Sequence, residues 1–367
     1  MTPPRAIHGK LPAAQGYRMP AEWEPHESTW LAWPHFRADW PGKFEPIPWV
    51  YAEIVRHLAR YERVDLIVND ASSEKRARAV LEKAAALSGT LADRVCFHRW
   101  RTDRVWTRDS GCIFLTSPAD HADPRLLALH FQFNAWAKYP NYSFDEKNGK
   151  RIAQAAGVRV VHPFSKKHRV VLEGGSIDVN GRGTLLTTEE CLLSTTQQRN
   201  PSMDRAAYEQ MFADYFGAQS VIWLDSGITG DDTHGHVDDI TRFVAPNTVV
   251  TMVETKERSE NYAALHANLG RLKNARTADG HKLDIVEIPM PRPVVFEGRQ
   301  LPASYANFYI ANGAVLVPVF NDPNDRIALY KLAELFPTRE IVPIYCGDLI
   351  WGFGALHCMT QQQPQKT

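Results

Sequence analysis

Residues 307–320 read NFYIANGAVLVPVF, and residues 325–336 read DRIALYKLAELF. The first stretch is rich in β-branched and aromatic residues, as strands are, and Asn, Asp and Pro residues mark a turn after it. In the second stretch, apolar residues recur at spacings of three and four, which predicts an amphipathic helix that ends before Pro337. The residues expected near one face of this helix are Ile327, Tyr330, Leu332 and Leu335.

The same pattern recurs along the chain. Further β-rich runs begin at residues 64, 112, 126, 170, 183 and 248, and further amphipathic stretches cover residues 50–61, 73–87, 204–216 and 259–272. The ratio of about two predicted strands to each predicted helix exceeds the one-to-one alternation of a doubly wound sheet or a TIM barrel. We therefore predict an α/β fold built from units of several strands and one helix. Because no exact repeat, low-complexity segment or Gly/Ser linker is present, residues 1–367 are predicted to form a single domain.

Composition and charge exclude several classes of protein. The 367 residues are 44% hydrophobic, which is too apolar for intrinsic disorder. The 42 Lys and Arg residues balance 42 Asp and Glu residues, so no net positive charge favours nucleic acid or an anionic membrane surface as a partner. The longest apolar stretch, residues 313–320, is shorter than the roughly 18 residues that a membrane helix needs.

Two further features concern the cellular compartment. Residues 1–20 lack the apolar core of a secretory signal, which predicts a cytoplasmic protein. The cysteines are odd in number and contain no Cys-x-x-Cys pair, a pattern typical of neither a disulfide scaffold nor a thiolate zinc site. We expect most of them to be reduced and buried. The five are Cys96, Cys112, Cys191, Cys346 and Cys358.

Residues able to carry chemistry concentrate in five short segments at predicted strand ends or turns. The segments are WTRDSG (106–111), LEGGS (172–176), DDTHGHVDD (231–239), PASYANFY (302–309) and GFGALHCMTQQQP (352–364). In the last segment, Gly352 and Gly354 precede Cys358 and allow a close backbone approach, which suits an exposed nucleophile. The alternative interpretation of Cys358 is a buried structural cysteine.

A nucleophilic cysteine needs a cationic or histidine partner that lowers its pKa. His357 is poorly placed for this role, because neighbouring side chains in an extended segment point to opposite faces. His236, far upstream, is the better candidate.

The segment 231–239 has more than one interpretation. His234, His236 and Asp238 alternate, so an extended strand would place all three on one face, where they could bind a metal ion. Alternatively, His236 is a general acid and base, and Asp238 is a carboxylate that faces a cationic substrate. A solvated strand end would explain the paired acids but not the two histidines between them.

Three carboxylates suggest the chemistry of the ligand. Asp109 follows an aromatic residue, Trp106, by three positions, and Glu173 precedes a Gly-Gly bend from which a side chain can project into a cleft. For Asp109, the simpler alternative is a salt bridge that involves Arg108. Together, Asp109, Glu173 and Asp238 would form an anionic pocket that complements a guanidinium or an amine.

These five segments, in this order, resemble the agmatine deiminase and bacterial-type peptidyl-arginine deiminase family of guanidine-modifying enzymes. The similarity extends to residues 19–34, 131–140, 184–194 and 301–312, and so covers nearly the whole chain. It implies an α/β propeller of pseudo-fivefold symmetry (a pentein) made of ββαβ-type modules. It also implies a hydrolase that needs neither a metal ion nor another cofactor.

The resemblance also implies roles for individual residues. Cys358 matches the nucleophile, His236 the acid and base, Asp109 and Asp238 the guanidinium-binding carboxylates, and Glu173 the acid of a Glu-Gly-Gly motif. Trp106 matches an aromatic residue of the substrate channel, and Asn307 matches a substrate contact. The sequence departs from the family pattern at Cys112, at His234, and at Phe353 and Ala355, which interrupt a Gly-rich run.

The expected reaction is hydrolysis of agmatine to N-carbamoylputrescine and ammonia, a polyamine-pathway step, through a covalent thiouronium on Cys358. Asp232 resembles an acidic position of agmatine enzymes and is the candidate that binds the distal amine. Peptidyl-arginine is the alternative substrate. A metal-dependent hydrolase that uses His234, His236 and Asp238 and an inactive guanidine-binding protein are further alternatives. We expect a small-molecule substrate as the ligand and a homo-oligomer as the common state of such an enzyme.

Overall fold

The computed structural model describes residues 11–118 and 125–366, so the first half of the N-terminal stretch considered above lies outside it. Short strands dominate these two ranges. They are β1 (His26–Ala32), β2 (Arg63–Val68), β3 (Val95–Arg99), β4 (Ile113–Thr116), β5 (Leu126–Leu129), β6 (Arg159–Val161), β7 (Phe164–Ser165), β8 (His168–Arg169), β9 (Asp178–Val179), β10 (Thr184–Thr188), β11 (Ser220–Leu224), β12 (Thr241–Ala245), β13 (Thr248–Val253), β14 (Asp284–Pro289), β15 (Val294–Phe296), β16 (Arg299–Leu301), β17 (Tyr309–Ile310), β18 (Ala314–Val319), β19 (Glu340–Tyr345) and β20 (Gln361–Pro364).

The α-helices lie between these strands. They are α1 (Ile47–Leu58), α2 (Ala71–Lys83), α3 (Thr107–Ser110), α4 (Asn148–Ala155), α5 (Glu189–Leu193), α6 (Arg205–Phe216), α7 (Tyr262–Asn274) and α8 (Asp325–Leu335). Eight 3₁₀ turns also occur in the described ranges, among them Gly174–Ser176 and Val237–Asp239. Within residues 11–118 and 125–366, every helix is too short or too polar to cross a bilayer.

Five of the sheets share one topology. In each of them, a first strand pairs antiparallel with a second, and a helical segment then leads to a third strand that is parallel to the second. Four of these sheets are β4-β5-β6, β9-β10-β11, β12-β13-β14 and β17-β18-β19. The predicted mixed α/β fold with units of several strands and one helix is therefore confirmed.

The fifth sheet joins the two ends of the chain. Its order is β20-β1-β2-β3, with β20 antiparallel to β1, and Trp30 opposite Gln361. The helix α1 connects β1 to its parallel neighbour β2. The last strand of the protein therefore completes the unit that the first strand begins, although more than 300 residues separate them in the sequence.

This shared topology explains why the chemistry concentrates in five segments. Each segment comes immediately before the first strand of its sheet. The helix α3 precedes β4, the turn Gly174–Ser176 precedes β9, and the turn Val237–Asp239 precedes β12. In the same way, Asn307 precedes β17 and Cys358 precedes β20. Five equivalent positions of the fold therefore carry the five polar segments.

Two predictions of local structure need correction. Residues 170–180 form a strand only at Asp178–Val179, because the Gly-Gly bend makes a 3₁₀ turn instead. The helix α8 forms as predicted, but Ala328 and Leu332 are its buried residues, while Ile327 and Tyr330 are exposed. Ala328 and Leu332 are one helical turn apart, so they share the face on which α8 packs against β14 and β19.

Candidate active site

A cavity of about 250 Å³ reaches the thiol of Cys358. Five aromatic residues form much of its wall: Phe36, Trp106, Trp136, Tyr139 and Phe353. The charged residues of the wall are Asp39, Arg104, Asp109 and Asp232. Of the residues predicted from the sequence, Trp106, Asp109, Asp232 and Cys358 line this cavity. Glu173, His236, Asp238 and Asn307 lie behind its wall and are fully or almost fully buried.

The nucleophile candidate is held by one amide side chain. Cys358 Sγ lies 3.0 Å from Asn307 Nδ2 and 3.7 Å from Asp238 Oδ2. The Oδ1 atom of Asn307 accepts from the backbone N–H groups of His357 at 2.9 Å and of Cys358 at 3.3 Å. Burial and the carboxylates of Asp238, Asp239 and Asp109 raise the pKa of the Cys358 thiol well above its ordinary value. The thiol is therefore protonated in the free protein.

Asn307 occupies a different place from the one expected. It was expected to contact the substrate, but its Nδ2 donates both to Cys358 and, at 2.9 Å, to Asp239 Oδ1. It is 1% exposed and lies outside the cavity wall. Its contacts are those of a residue that positions the thiol.

His236 is completely buried among acids. Its Nε2 lies 3.7 Å from Glu173 Oε2, and its Nδ1 lies 3.9 Å from Asp109 Oδ1 and 4.0 Å from Asp238 Oδ1. Within the described residues, neither ring nitrogen has a well-formed hydrogen bond. Burial alone would lower the pKa of this histidine, but the surrounding acids, Asp109 foremost, raise it well above its ordinary value. This shift favours the imidazolium form of His236.

Glu173 balances the charge behind His236. Its Oε1 lies 3.1 Å from Arg199 Nε, and both side chains are fully buried. Burial would raise the pKa of Glu173, but Arg199 and His236 lower it to about 2. The residue is thus a permanent carboxylate that favours the imidazolium form of His236.

Asp109 is the carboxylate that lines the cavity beside the thiol. Trp136 Nε1 donates to its Oδ2 at 2.9 Å, and the backbone N–H of Gly175 donates to its Oδ1 at 3.1 Å. Burial raises the pKa of Asp109 to about 6, with a further contribution from Asp238 and Glu173, although His236 and the Trp136 donor lower it. A bound cation would favour its ionised form.

Gly175 allows these groups to meet. A β-carbon at this position would lie 2.6 Å from His236 Nδ1, 3.0 Å from Asp238 Oδ2 and 3.1 Å from Asp109 Oδ1. All three distances are shorter than side chains tolerate without displacement. The Gly-Gly bend predicted to project Glu173 therefore has a second use, which is to leave room for the three groups around His236.

A buried charge network supports Asp238 and was not anticipated from the sequence. His357 Nδ1 lies 2.6 Å from Asp238 Oδ2, and His357 Nε2 lies 2.8 Å from Glu22 Oε2. Glu22 in turn pairs with Arg242 at 3.0 Å and with Arg108 at 3.3 Å. The prediction that His357 is a poor partner for Cys358 agrees with these contacts. The salt bridge considered for Arg108 is formed with Glu22 rather than with Asp109.

The predicted metal-binding face of the segment 231–239 does not form. The segment is a turn, not a strand, and His234 has a left-handed backbone with φ of +65°. His234 reaches Ser194 Oγ at 3.1 Å and Glu190 at 3.5 Å, away from the buried His236. In the described part of the chain, the sets of three close candidate ligands are Glu173 with Cys191 and His236, and Asp238 with Asp239 and Cys358. Neither set includes His234.

Asp232 lies where the cavity wall meets exposed residues. Lys138 Nζ and Tyr139 Oη each donate to it at 2.5 Å, one to each oxygen, and Arg299 lies 3.6 Å away. Lys138 and Arg299 have side chains that are 35% and 51% exposed, so we call this part of the cavity the mouth.

The departures from the family pattern lie in different places. Phe353 is in the cavity wall, has a φ of +68°, and packs against the Arg299 guanidinium at 4.1 Å. Cys112 and Ala355 are buried in the core, outside the wall of the cavity. Phe353 is therefore the departure that shapes the cavity.

Comparison with known proteins identifies the family. Residues 18–364 match the family model of the Porphyromonas-type peptidyl-arginine deiminases. Agmatine deiminase of Pseudomonas aeruginosa is 34% identical over 96% of this chain and 97% of its own. The solved agmatine deiminase of Enterococcus faecalis is 29% identical with a TM-score of 0.87, and the alignment covers 99% of this chain and 100% of that one.

A third relative has been solved with its substrate. It is the agmatine deiminase of C. jejuni, 29% identical with a TM-score of 0.82 over 95% of this chain and 96% of that one. These relatives match the whole length of the fold rather than the site segments alone. The chain therefore belongs to the Porphyromonas-type peptidyl-arginine deiminase family.

Proposed function

We propose that this protein hydrolyses agmatine to N-carbamoylputrescine and ammonia, a reaction of polyamine metabolism, with Cys358 as the nucleophile. The observation that carries the proposal is that Cys358 and Asp109 line one end of an aromatic cavity, with Asp238 and His236 buried directly behind them. The agmatine deiminases that match nearly the whole chain support this choice of substrate.

Binding comes first and prepares the thiol. A guanidinium is a resonance-stabilised cation and a poor electrophile, so it must be held close to the sulfur and in a defined orientation. Asp109 and the unpaired Oδ1 of Asp238 accept its N–H groups, while Trp106 packs beside it. The positive charge of the substrate offsets the two carboxylates that raise the Cys358 pKa, and this lets the thiol lose its proton to solvent.

Ammonia leaves in the second step. The Cys358 thiolate attacks the guanidinium carbon, and a C–S bond forms while the carbon becomes tetrahedral. The His236 imidazolium donates its proton to an unsubstituted nitrogen, the C–N bond breaks, and ammonia departs. A thiouronium cation remains on Cys358, and Glu173 stabilises His236 in the charged form before this transfer.

Water completes the reaction. Neutral His236 removes a proton from a water molecule that attacks the thiouronium carbon. The tetrahedral intermediate then expels the Cys358 thiolate, and its hydroxyl proton passes to ammonia or solvent. The product is a carbamoyl compound, and the enzyme regains its thiolate and imidazolium. No step requires a metal ion or another cofactor.

The mouth of the cavity offers carboxylate partners to an amine. Lys138 and Arg299 are paired with Asp232, and Arg104 is paired with Asp39. A substrate carboxylate would have to compete with these acids for a cation. Agmatine presents a distal amine instead, so it complements the two carboxylates of the mouth. Peptidyl-arginine, the substrate that the family's name gives, is the competing candidate.

The arrangement of the whole chain is part of this proposal. Five sheets of one topology, each with a site segment before its first strand, support a single-domain propeller of pseudo-fivefold symmetry around the cavity. The antiparallel pairing of β20 with β1 links the end of the chain to the unit that begins it. A cytoplasmic location and a homo-oligomeric state remain the predictions made from the sequence.

The test is ammonia release by purified protein in the presence of EDTA. Agmatine, free arginine and an arginine-containing peptide are compared. Release from agmatine alone would support the proposed reaction and its substrate. Release from the peptide alone would keep the thiol mechanism and reject the substrate, and loss of activity in EDTA would reject the metal-free mechanism.

A further inference from the structure

Asp39 is a buried carboxylate in the cavity wall that takes no part in the proposed thiol chemistry. It ends the 3₁₀ turn Arg37–Asp39, and its side chain is 4% exposed. One of its oxygens, Oδ1, accepts from Arg104 Nη1. The other, Oδ2, has no hydrogen-bond partner in the described residues. An unpaired buried acceptor in a ligand cavity is costly, and a donor on the ligand would remove that cost.

Asp39 lies close to the mouth. The Arg104 guanidinium that binds it packs at 4.2 Å on the ring of Tyr139, and Tyr139 donates to Asp232. The Asp232 carboxylate is also near enough to Asp39 to raise its pKa, and together with burial this brings the pKa to about 7 in spite of Arg104. A cation bound between the two acids would relieve their repulsion.

Asp39 and Asp232 differ in whether they have an oxygen left to accept a hydrogen bond from a ligand. Both oxygens of Asp232 are already engaged at 2.5 Å, by Lys138 and by Tyr139. Among the described residues, one oxygen of Asp39 has no partner, and its side chain is as buried as that of Asp232. A charged hydrogen bond is stronger where water is excluded.

The path from the thiol to Asp39 is apolar enough for a methylene chain. Trp136 donates to Asp109 at the inner end and meets the Tyr139 ring edge-on at 6.0 Å. On the other side, Trp106 lies 5.9 Å from Trp40, which follows Asp39 in the chain. Aromatic walls therefore lead from the guanidinium end of the cavity towards Asp39.

We infer that Asp39, and not Asp232, binds the distal amine of the substrate and sets the preference for a guanidinium compound with a second cationic end. The inference rests on the proposed function, which makes that cation the amine of agmatine. Asp232 then anchors Lys138 and Tyr139 and shapes the mouth. This moves the amine-binding role from the residue that the sequence favoured.

The experiment compares two substrates and two matched variants. Agmatine is measured against 1-butylguanidine, which has the same guanidinium and methylene chain but no amine. For the wild type, Asp39→Asn and Asp232→Asn, the readout is the ratio of kcat/KM between the two substrates. A general structural disturbance lowers kcat/KM for both substrates and leaves their ratio unchanged.

We expect Asp39→Asn to lower this ratio by about 10- to 100-fold, the size of one charged hydrogen bond. Asp232→Asn should leave it near the wild-type value. If Asp39→Asn does not fold, Asp39→Ser is measured instead and must lower the ratio in the same way. An unchanged ratio in the Asp39 variant, or a lowered ratio in Asp232→Asn alone, overturns the inference.

Failure of the proposed function would look different. A wild-type protein that releases no ammonia from agmatine, whatever it does with other guanidines, removes the proposed substrate and the inference with it. An active wild type whose ratio does not respond to Asp39 removes the inference alone.

Discussion

His357 Nδ1 lies 2.6 Å from Asp238 Oδ2, although the two residues are 119 positions apart. This contact gives the two carboxylate oxygens of Asp238 different surroundings. Oδ2 is held by the histidine, whereas Oδ1 is buried with no hydrogen-bond partner among residues 11–118 and 125–366 and lies 4.0 Å from His236 Nδ1. His357 therefore orients the carboxylate that we propose binds the guanidinium of the substrate. Burial would raise the pKa of Asp238, but His357 lowers it below its ordinary value and keeps the residue ionised.

Replacing the nucleophile should abolish turnover without unfolding the protein. In Cys358→Ala, no sulfur is left to form the covalent intermediate, and we expect less than about a tenth of the wild-type ammonia release from agmatine. Circular dichroism would check the fold. Cys96→Ala is the control, because Cys96 is another free cysteine that lies outside the cavity. A Cys358→Ala protein that keeps more activity would rule out this residue as the nucleophile.

The two guanidinium carboxylates should be separately essential. Asp109→Asn and Asp238→Asn each remove one charge that holds the substrate, and we expect kcat/KM for agmatine to fall by about 100-fold or more. Asp225→Asn is the matched control, since Asp225 pairs with Arg271 and its side chain is 44% exposed. Near-normal kinetics in both site variants would refute the anionic pocket.

The pH profile of kcat/KM should fall on its acidic side because Asp109 becomes protonated there. Its pKa is about 6, so it binds a proton as the pH falls below that value and no longer holds a guanidinium. We expect kcat/KM for agmatine to decrease from about pH 6 downwards. His236, whose pKa is raised above its ordinary value, should keep its proton at neutral pH and above. A kcat/KM that stays constant from pH 7 to well below pH 5 would contradict this assignment.

Adding one methyl group at Gly175 should lower the rate of the reaction as much as the loss of a catalytic group does. The β-carbon of Gly175→Ala would meet His236 Nδ1 at 2.6 Å and displace the groups around it. A displacement of this kind costs about 100-fold in rate. Gly270→Ala is the control, because Gly270 is in α7 with open space around it, and alanine there should stabilise the helix by about 1 kcal/mol. Full activity of Gly175→Ala would show that the site tolerates the displacement.

Glu173→Gln should destabilise the fold as well as slow the reaction. The substitution leaves Arg199 buried and unpaired, at a cost of about 3–5 kcal/mol in the free energy of unfolding. Because the folded-state pKa of Glu173, about 2, lies below the ordinary value of 4.5, the stabilisation is complete above pH 4.5 and is lost as the pH falls towards 2.

Urea unfolding at pH 7 and pH 3 measures this difference. The gap between the wild type and Glu173→Gln should be smaller at pH 3. Glu189→Gln removes a carboxylate from the more exposed pairs with Arg205 and Arg271, and should cost about 1 kcal/mol or less. Equal effects of the two substitutions would contradict the role of burial.

Local patterns predicted the elements that are long or strongly periodic. The helices α1, α2, α6, α7 and α8 and the strands β2, β10 and β13 were predicted within a few residues, whereas the single run 307–320 contains two strands, β17 and β18. The short strands β6, β9, β17 and β20 contain two to four residues, so no periodicity can reveal their limits. The predicted face of α8 was right at Leu332 and wrong at Ile327 and Tyr330, because helical spacing alone does not say which side meets a sheet.

The sequence by itself determined the α/β class, the family and the residues with chemistry, because these depend on residue types and their local order. Only the tertiary structure decided which of them meet. Asp238 is held by His357, His357 by Glu22 across 335 positions, and Asp109 by Trp136. It also separated His234 from His236 and, within the part of the chain that is described, left an oxygen of Asp39 rather than of Asp232 without a partner. Such pairings arise when parallel crossovers and the joining of β20 to β1 bring distant strand ends together, and this leaves no periodic trace in the chain.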